Sequence, residues 1–227
     1  MSTPTTDDYL VAVYTLESEG QDVIGARLAE LLGVKPSTVT VTIQRMIRDG
    51  LVVLLPGKRI SPTEKGRRQV ESLIRRHRLL ERWLTDVLGI AWHQCHQDAH
   101  RLEHAINDLI ANRLSVSMGN PATCPHGNPI PGNSSKSVAG TSLLLSASPL
   151  GQKMVIDRIS EMSEYIPDLL EYLSAHGLQP GTSLRIKRVE TPGELIIIDL
   201  CGKEMAVSKR IAEKIWVQLA AAGQVKT

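Results

Sequence analysis

The sequence predicts a mainly α chain with small β elements, and three observations carry that expectation. Between residues 21 and 66, two short stretches of helical spacing flank a glycine turn and lead into a basic hairpin. From residue 61 to 114, apolar residues recur every three or four positions along two longer stretches. After residue 150, Pro180-Gly181 and Pro192-Gly193 punctuate short β-rich runs.

Thr5 or Thr6 can cap a first helix through about Ser18, with Leu10, Val13, Tyr14 and Glu17 at helical spacing and Asp7 and Asp8 in its first turn. Gly20 ends it. Ile24 to Leu32 forms a short helix with Ala26, Leu28, Ala29 and Leu32 available for burial, and Gly33 turns the chain. Pro36 then stands at the start of a third helix, Ser37 to Arg48, whose core stripe is Val39, Ile43, Met46 and Ile47. This is a helix-turn-helix. Its second helix offers Lys35, Ser37, Thr38, Thr40, Thr42, Gln44 and Arg45 to a major groove, with Arg27 on the helix before it. Leu51 to Leu55, Pro56-Gly57-Lys58-Arg59 and Ile60-Ser61 read as a hairpin with Lys58 and Arg59 at a basic tip, the wing of a winged helix. The bland alternative is an ordinary helical domain with a surface hairpin.

Charge supports the groove-binding reading. Residues 21 to 76 hold eleven Lys or Arg against five Asp or Glu, although the whole chain is only +2. Phosphate neutralisation needs such a local patch rather than a basic protein overall. Phe is absent and only three Trp and four Tyr are present, which leaves little surface for stacking single-stranded bases, so duplex DNA is the expected partner. Of 227 residues, 42% are hydrophobic, enough for the cores of two or three modest domains. No apolar run approaches the roughly 20 residues of a membrane helix, and Met1 to Asp8 lacks the features of a secretory signal. A cytoplasmic location without a membrane partner is expected. Three cysteines, Cys95, Cys124 and Cys201, lack framework spacing and suit a reducing compartment where a thiol can bind metal.

Thr63-Glu64 opens a long helix to about Leu88, with Leu73, Ile74, Leu80, Leu84, Val87 and Leu88 on its apolar face, and Gly89 stops it. His77 and Glu81 lie four apart, so both can reach one ion. A next helix, roughly His93 to Leu114, carries His96, His100 and His104 at successive four-residue steps, with Glu103 three after His100. One such pair is more often a surface ion pair; the whole set, with three imidazoles along one face, points to a divalent metal. Cys124 and His126, two apart in the proline-stiffened run Cys124-Pro125-His126-Gly127-Asn128-Pro129-Ile130-Pro131, can chelate one ion. His93, Cys95 and His176 fall outside these faces and read as structural or incidental.

These strings, with Arg48-Asp49-Gly50-Leu51-Val52 after the third helix, Thr63-Glu64-Lys65-Gly66 after the wing, His77-Arg78-Leu79-Leu80-Glu81-Arg82 and Glu103-His104, cover residues 7 to 132. On them the chain resembles the DtxR/MntR family of metal-dependent transcriptional repressors in its three-domain form. The resemblance implies an N-terminal winged helix-turn-helix domain (residues 1–66), a helical dimerisation and metal-binding domain (67–132), a flexible linker (133–150), in which Leu143-Leu144-Leu145 could make a local contact, and a C-terminal SH3-like, FeoA-type β-barrel (151–227). It implies two metal sites per subunit. Asp8, His100, Glu103 and His104 would form the regulatory one, and His77, Glu81 and His96 the second, which the loop pair Cys124 and His126 joins in some relatives. Glu161 and Glu164 lie where some relatives send a carboxylate to that second site.

Iron-responsive relatives carry Met and Cys where this chain has Asp8 and His100; manganese-responsive ones carry Asp and usually Glu. A carboxylate in place of a thioether favours the harder Mn²⁺, while an imidazole at 100 draws toward Fe²⁺, Co²⁺ or Zn²⁺, so Mn²⁺ is the expected ion. The family implies a homodimer on a palindromic operator, repression of metal-homeostasis genes, and no small organic substrate. Metal would fix the first helix against the dimer core and so set two recognition helices about 34 Å apart. Two rivals stand beside this: a dinuclear hydrolase, for which no nucleophile or HExxH motif is present, and a metal-independent winged-helix regulator.

Overall fold

The structure is a computed structural model that describes residues 5–133 and 142–220. Helix α1 (Thr6–Ser18) begins with a reciprocal cap: Thr5 Oγ1 accepts from the Asp8 backbone N–H at 3.3 Å, and Asp8 Oδ2 accepts from the Thr5 N–H at 2.5 Å. Its Tyr9, Leu10, Ala12, Val13 and Leu16 are buried with Leu28 and Ala29 of α2 (Gly25–Leu32) and Val39, Ile43 and Met46 of α3 (Pro36–Arg48). Gly33 takes the left-handed conformation (φ 63°) that ends α2. Strands β1 (Val52–Leu55) and β2 (Arg59–Pro62) pair antiparallel around a 3-10 turn at Pro56–Lys58, forming the expected wing.

One expectation changes on α3. Thr42 is buried beside Ile43, so it faces the core and not a groove; Val41, 71% exposed, takes the outward position. A helix turns by about 100° per residue, so one step in register exchanges a core position for a surface one.

Thr63 caps α4 (Glu64–Asp86) by accepting from Gly66 N–H at 3.0 Å. Leu73, Ile74, Leu80 and Leu84 are buried, but Val87 and Leu88 lie beyond the helix and are exposed. At Gly66 the helix backbone presses against the wing: a Cβ would stand 2.0 Å from the Leu51 carbonyl oxygen. Gly66→Ala is therefore expected to destabilise the fold by about 1–3 kcal/mol through overpacking, read as a lower urea midpoint; an unchanged midpoint would refute the close approach.

The single helix expected from His93 to Leu114 is two, α5 (His96–Leu102) and α6 (Asp108–Ser117). The break has a local cause. Asn107 Oδ1 accepts from Ile110 N–H at 3.0 Å and starts α6 afresh as its N-cap. His104 therefore sits just past α5, although His96 and His100 still stack, with ring centroids 6.4 Å apart, and His104 meets His100 edge-on at 5.9 Å.

The C-terminal third is a six-stranded antiparallel sheet in the order β3 (Leu143–Leu144), β8 (Ile215–Leu219), β4 (Lys153–Ile159), β5 (Ser183–Glu190), β6 (Leu195–Leu200), β7 (Lys203–Ser208), with α7 (Leu169–Ala175) and α8 (Lys209–Ala212) packed on it. Register shifts in β4 and β5 bend the sheet around Ile156, Leu184, Ile186, Ile198 and Val217. Of the expected linker, 133–150, residues 134–141 lie outside the described residues. Leu143–Leu144 pairs with β8, and Leu145 is fully buried in the sheet's core, where its apolar side chain is removed from water, while Leu143 stays exposed.

The three parts meet through buried contacts. The Cys124–Pro131 loop lies on β4: Ile159 N–H donates to His126 O at 2.8 Å, Asn128 Nδ2 donates to Ile159 O at 3.0 Å, and Gly127 (φ 86°) lets backbone approach where a Cβ would stand 2.2 Å from Asp157 O. Arg158, 2% exposed, pairs with Glu19 at 2.7 Å and lies over the Trp216 ring at 4.2 Å, while Trp216 Nε1 donates to Glu19 at 2.8 Å. Among the described residues no helix is long and apolar enough to cross a membrane.

Candidate metal centre

Helices α4 and α5 bring their imidazoles and carboxylates together around Glu103, which is 3% exposed. Its Oε2 lies 2.6 Å from His77 Nδ1; its Oε1 lies 3.0 Å from His100 Nδ1 and 3.3 Å from His104 Nε2. Asp8 faces the same group from α1, with Oδ1 3.9 Å from His100 Nε2 while Oδ2 holds the helix cap. On the other side, His77 Nε2 is 3.1 Å from Glu81 Oε1 and 3.1 Å from His96 Nδ1, and His96 Nδ1 is 3.1 Å from Glu164 Oε2. Donor atoms of His77, Glu81, His96 and Glu164 all lie within 4.8 Å of one another, as do those of His77, His100 and Glu103. The two groups thus share His77.

Of the two acidic residues after β4, Glu164 enters the cluster and Glu161 does not. Glu161 Oε1 accepts from Arg78 Nε at 2.8 Å, and its other oxygen accepts from the Thr15 hydroxyl at 3.3 Å. Arg78 is fully buried and needs that carboxylate as its counter-charge. Sequence spacing could not tell the two glutamates apart, since the choice depends on where Arg78 of α4 points. Cys124 and His126 are buried near the cluster, with Cys124 Sγ 3.8 Å from His126 Nδ1, and that nitrogen is 3.3 Å from Glu81 Oε2. Cys95, read from sequence as structural or incidental, lies in this corner too. His93 and His176 stay outside; His176 Nδ1 contacts the Tyr172 carbonyl at 2.8 Å.

Burial works against charge here, and the close pairs overcome it. Burial would lower the pKa of His77, yet the charge of Glu81 and hydrogen bonds to Glu103 and Glu81 raise it well above 6.5. His126 is raised in the same way by Glu81 and Cys124, and His100 is raised by its hydrogen bond to Glu103. Burial would raise Glu103, but hydrogen bonds from His100 and His77 bring it down to about 2; His126 and His77 hold Glu81 well below 4.5. Burial beside Glu81 and Glu161 pushes Glu164 up despite His96, and burial pushes the Cys95 thiol up to about 12.

The residues fit a divalent first-row ion. Buried N and O donors converge, two imidazole nitrogens face each other at 3.1 Å, and His126 Nε2 is buried without a partner. A pH dependence follows. In metal-free protein the raised imidazoles stabilise the fold fully below pH 6.5 and lose that contribution as pH rises through their folded values; the lowered carboxylates stabilise it above pH 4.5 and lose it on descent toward about 2. An ion needs neutral imidazoles, so the metal-induced rise in Tm should grow steadily from about pH 6 to about pH 8. A rise that is flat or falling over that range would contradict these proton-binding groups as ligands.

On the N-terminal side, Lys35, Ser37, Thr38, Thr40, Arg45, Lys58 and Arg59 are exposed on α3 and the wing. Arg27 is half-buried and donates to Gln21 Oε1 at 3.0 Å.

A winged helix joined to a buried cluster of His and carboxylate donors defines a metal-responsive DNA-binding protein. Family models agree in all three parts: the iron dependent repressor N-terminal DNA-binding domain matches residues 1–59, the iron dependent repressor metal-binding and dimerisation domain matches 63–132, and the FeoA domain matches 143–219. The chain belongs to the iron-dependent repressor (DtxR) family. It is 34% identical over 210 residues to the iron-dependent repressor IdeR of Mycobacterium tuberculosis, covering 88% of this chain and 90% of the relative. It is 34% identical over 221 residues to the diphtheria toxin repressor of Corynebacterium diphtheriae, covering 94% and 96%. Among solved structures, a manganese-dependent transcriptional repressor in complex with manganese superposes with TM-score 0.84 at 30% identity, covering 95% of this chain and all of the other. ScaR with bound Zn²⁺ superposes with TM-score 0.82 at 28% identity, covering 96% and 100%. The chain is an iron- or manganese-dependent transcriptional repressor and not an enzyme.

Proposed function

We propose that this repressor senses Mn²⁺ in the cytoplasm and, as a homodimer on a palindromic operator, controls metal-homeostasis genes. The observation that carries the reading is Asp8, a carboxylate on the DNA-binding unit's first helix, facing His100 at 3.9 Å across the boundary to the dimerisation part. Asp8, His100, Glu103 and His104 would hold the regulatory ion, and His77, Glu81, His96 and Glu164 a second, giving two per subunit. A bound divalent ion supplies positive charge that two separately folded units can share. The carboxylates of Asp8 and Glu103, a hard donor pair, support manganese over softer ions. Exposed Val87, Leu88, Leu102, Leu109, Ile110 and Val116 around α4 to α6 supply apolar surface for a second copy. Lys35, Ser37, Thr38, Thr40, Arg45, Lys58 and Arg59, with Arg27 behind them, would contact the duplex. The organisation proposed keeps 1–66 for DNA, 67–132 for metal and pairing, and the FeoA-type part as the remainder.

The test is affinity for a duplex selected by the protein from random DNA, at buffered free Mn²⁺, anaerobic Fe²⁺, Co²⁺ and Zn²⁺ and fixed salt. Mn²⁺ should tighten binding by about 5- to 150-fold, and His104→Ala should lose the gain while remaining folded. Asp8→Ala should lose it too, and Asp8→Asn, which keeps an acceptor for the Thr5 cap, separates ligand loss from helix loss. Equal affinity after exhaustive chelation would refute metal control; a stronger response to Fe²⁺ would move the assignment to iron.

A further inference from the structure

Val41 is 71% exposed, the highest value of any large apolar side chain among the described residues. The next in order, Leu109 and Val116, lie on α6 within the surface offered to a second copy. Val41 stands instead on α3, opposite the buried stripe of Val39, Ile43 and Met46. Helical steps of three and four place Ser37, Thr38, Gln44 and Arg45 around it, and all four are exposed. Stability gives no reason for the residue: a β-branched side chain is a poorer helix former than Ala, Gln or Lys, and at this exposure it gains little from the core. Two polar neighbours are already engaged. Thr40 Oγ1 donates to Pro36 O at 3.0 Å within the helix, and Arg45 Nη2 donates to Thr6 Oγ1 at 3.1 Å, toward α1. The centre of the outward face is thus a pair of methyl groups in a polar and basic frame. In a major groove, thymine is the base that carries a methyl on its exposed edge, at C5.

We infer that Val41 is a specificity-determining residue whose methyl groups close on the C5-methyl of a thymine in each operator half-site. The inference rests on the DNA-binding reading given above and deepens it. Cytosine lacks that methyl and turns an amino group toward the groove, so it offers Val41 a polar group to desolvate and nothing apolar to pack against. The contact is apolar burial, so it carries sequence information without adding charge. Lys35, Lys58 and Arg59 supply the attraction to phosphates, which is independent of sequence.

The experiment uses the full-length chain, a duplex that it selects from random DNA, and saturating Mn²⁺, or anaerobic Fe²⁺ where that ion tightens binding more. Each thymine is exchanged in turn for deoxyuridine, which removes the C5-methyl and leaves base pairing intact. One position should weaken binding by about 4-fold per half-site, the value of one buried methyl, or about 15-fold when both half-sites are changed. In Val41→Ala most of that penalty should disappear. Lys58→Ala should instead weaken every duplex alike and keep the penalty at full size. The scan on the unsubstituted chain needs no variant, and a thermal melt checks that Val41→Ala is folded. A selected half-site without thymine, the lack of any position sensitive to deoxyuridine, or a penalty that survives Val41→Ala at full size would overturn the inference. Selective, metal-stimulated binding alongside such a result leaves the DNA-binding reading standing, whereas a chain that selects no duplex sinks both.

Discussion

Glu103→Gln is expected to remove the metal response of DNA binding, a loss of about 5- to 150-fold in the affinity gained with the ion. Both oxygens are engaged, Oε2 with His77 at 2.6 Å and Oε1 with His100 and His104 at 3.0 and 3.3 Å. A glutamine keeps the size but exchanges one acceptor oxygen for a donor and removes the negative charge that orients three imidazoles. Because its carboxyl is held down to about 2, that charge is present at every physiological pH. The variant should also lose about 1.5–3 kcal/mol of metal-free stability, the range for hydrogen bonds to a charged group. His104→Ala, which touches only the Asp8 side, should abolish the response with a smaller stability loss. Anisotropy on a labelled duplex with and without Mn²⁺, alongside thermal melts, distinguishes the two. A Glu103→Gln chain that still responds fully to Mn²⁺ would show that the bridging carboxylate is only a structural partner of His77.

The largest stability effect is expected at the contact between the C-terminal sheet and α1. Arg158→Ala should cost about 3–5 kcal/mol, because it leaves Glu19 buried without its counter-charge. The Glu19 side chain is only 5% exposed, and its second oxygen is held by Trp216 Nε1 at 2.8 Å, so it cannot turn to solvent without breaking that bond as well. The double variant Glu19→Leu with Arg158→Met should recover most of the loss, since apolar replacement of both partners removes the stranded charge. Urea midpoints measure both. Near-equal destabilisation by the single and double variants would mean that packing over Trp216, at 4.2 Å from the guanidinium carbon, carries the contact and the ion pair does not.

Much of the architecture was legible because local signals decide it. The Thr5 and Thr63 caps, Gly33, Pro36 and the basic turn at Pro56 to Arg59 each mark an element boundary within a few residues of chain. The departures have causes that apolar spacing does not show. Asn107 divides a helix that apolar spacing alone carries through, and Thr42 falls on the inner face of α3 while Val41 turns outward. Leu143 to Leu145 has a serine-rich approach and reads as tether with room for a local contact, but the strand partner of Leu143 and Leu144 is β8, more than 70 residues away.

The sequence by itself determined the helix-turn-helix and wing, the four-residue spacing that sets His77 beside Glu81, and the stacking of His96 with His100, because each depends on periodicity within one element. Only the tertiary structure decided that Glu103 bridges His77 and His100, that Arg78 claims Glu161 and leaves Glu164 to His96, and that Cys95 meets Glu81 and His126. Those choices join side chains from different helices and from the C-terminal sheet. Spacing along the chain carries no information about them until the packing of α1, α4, α5 and β4 has brought their charges within a few ångströms.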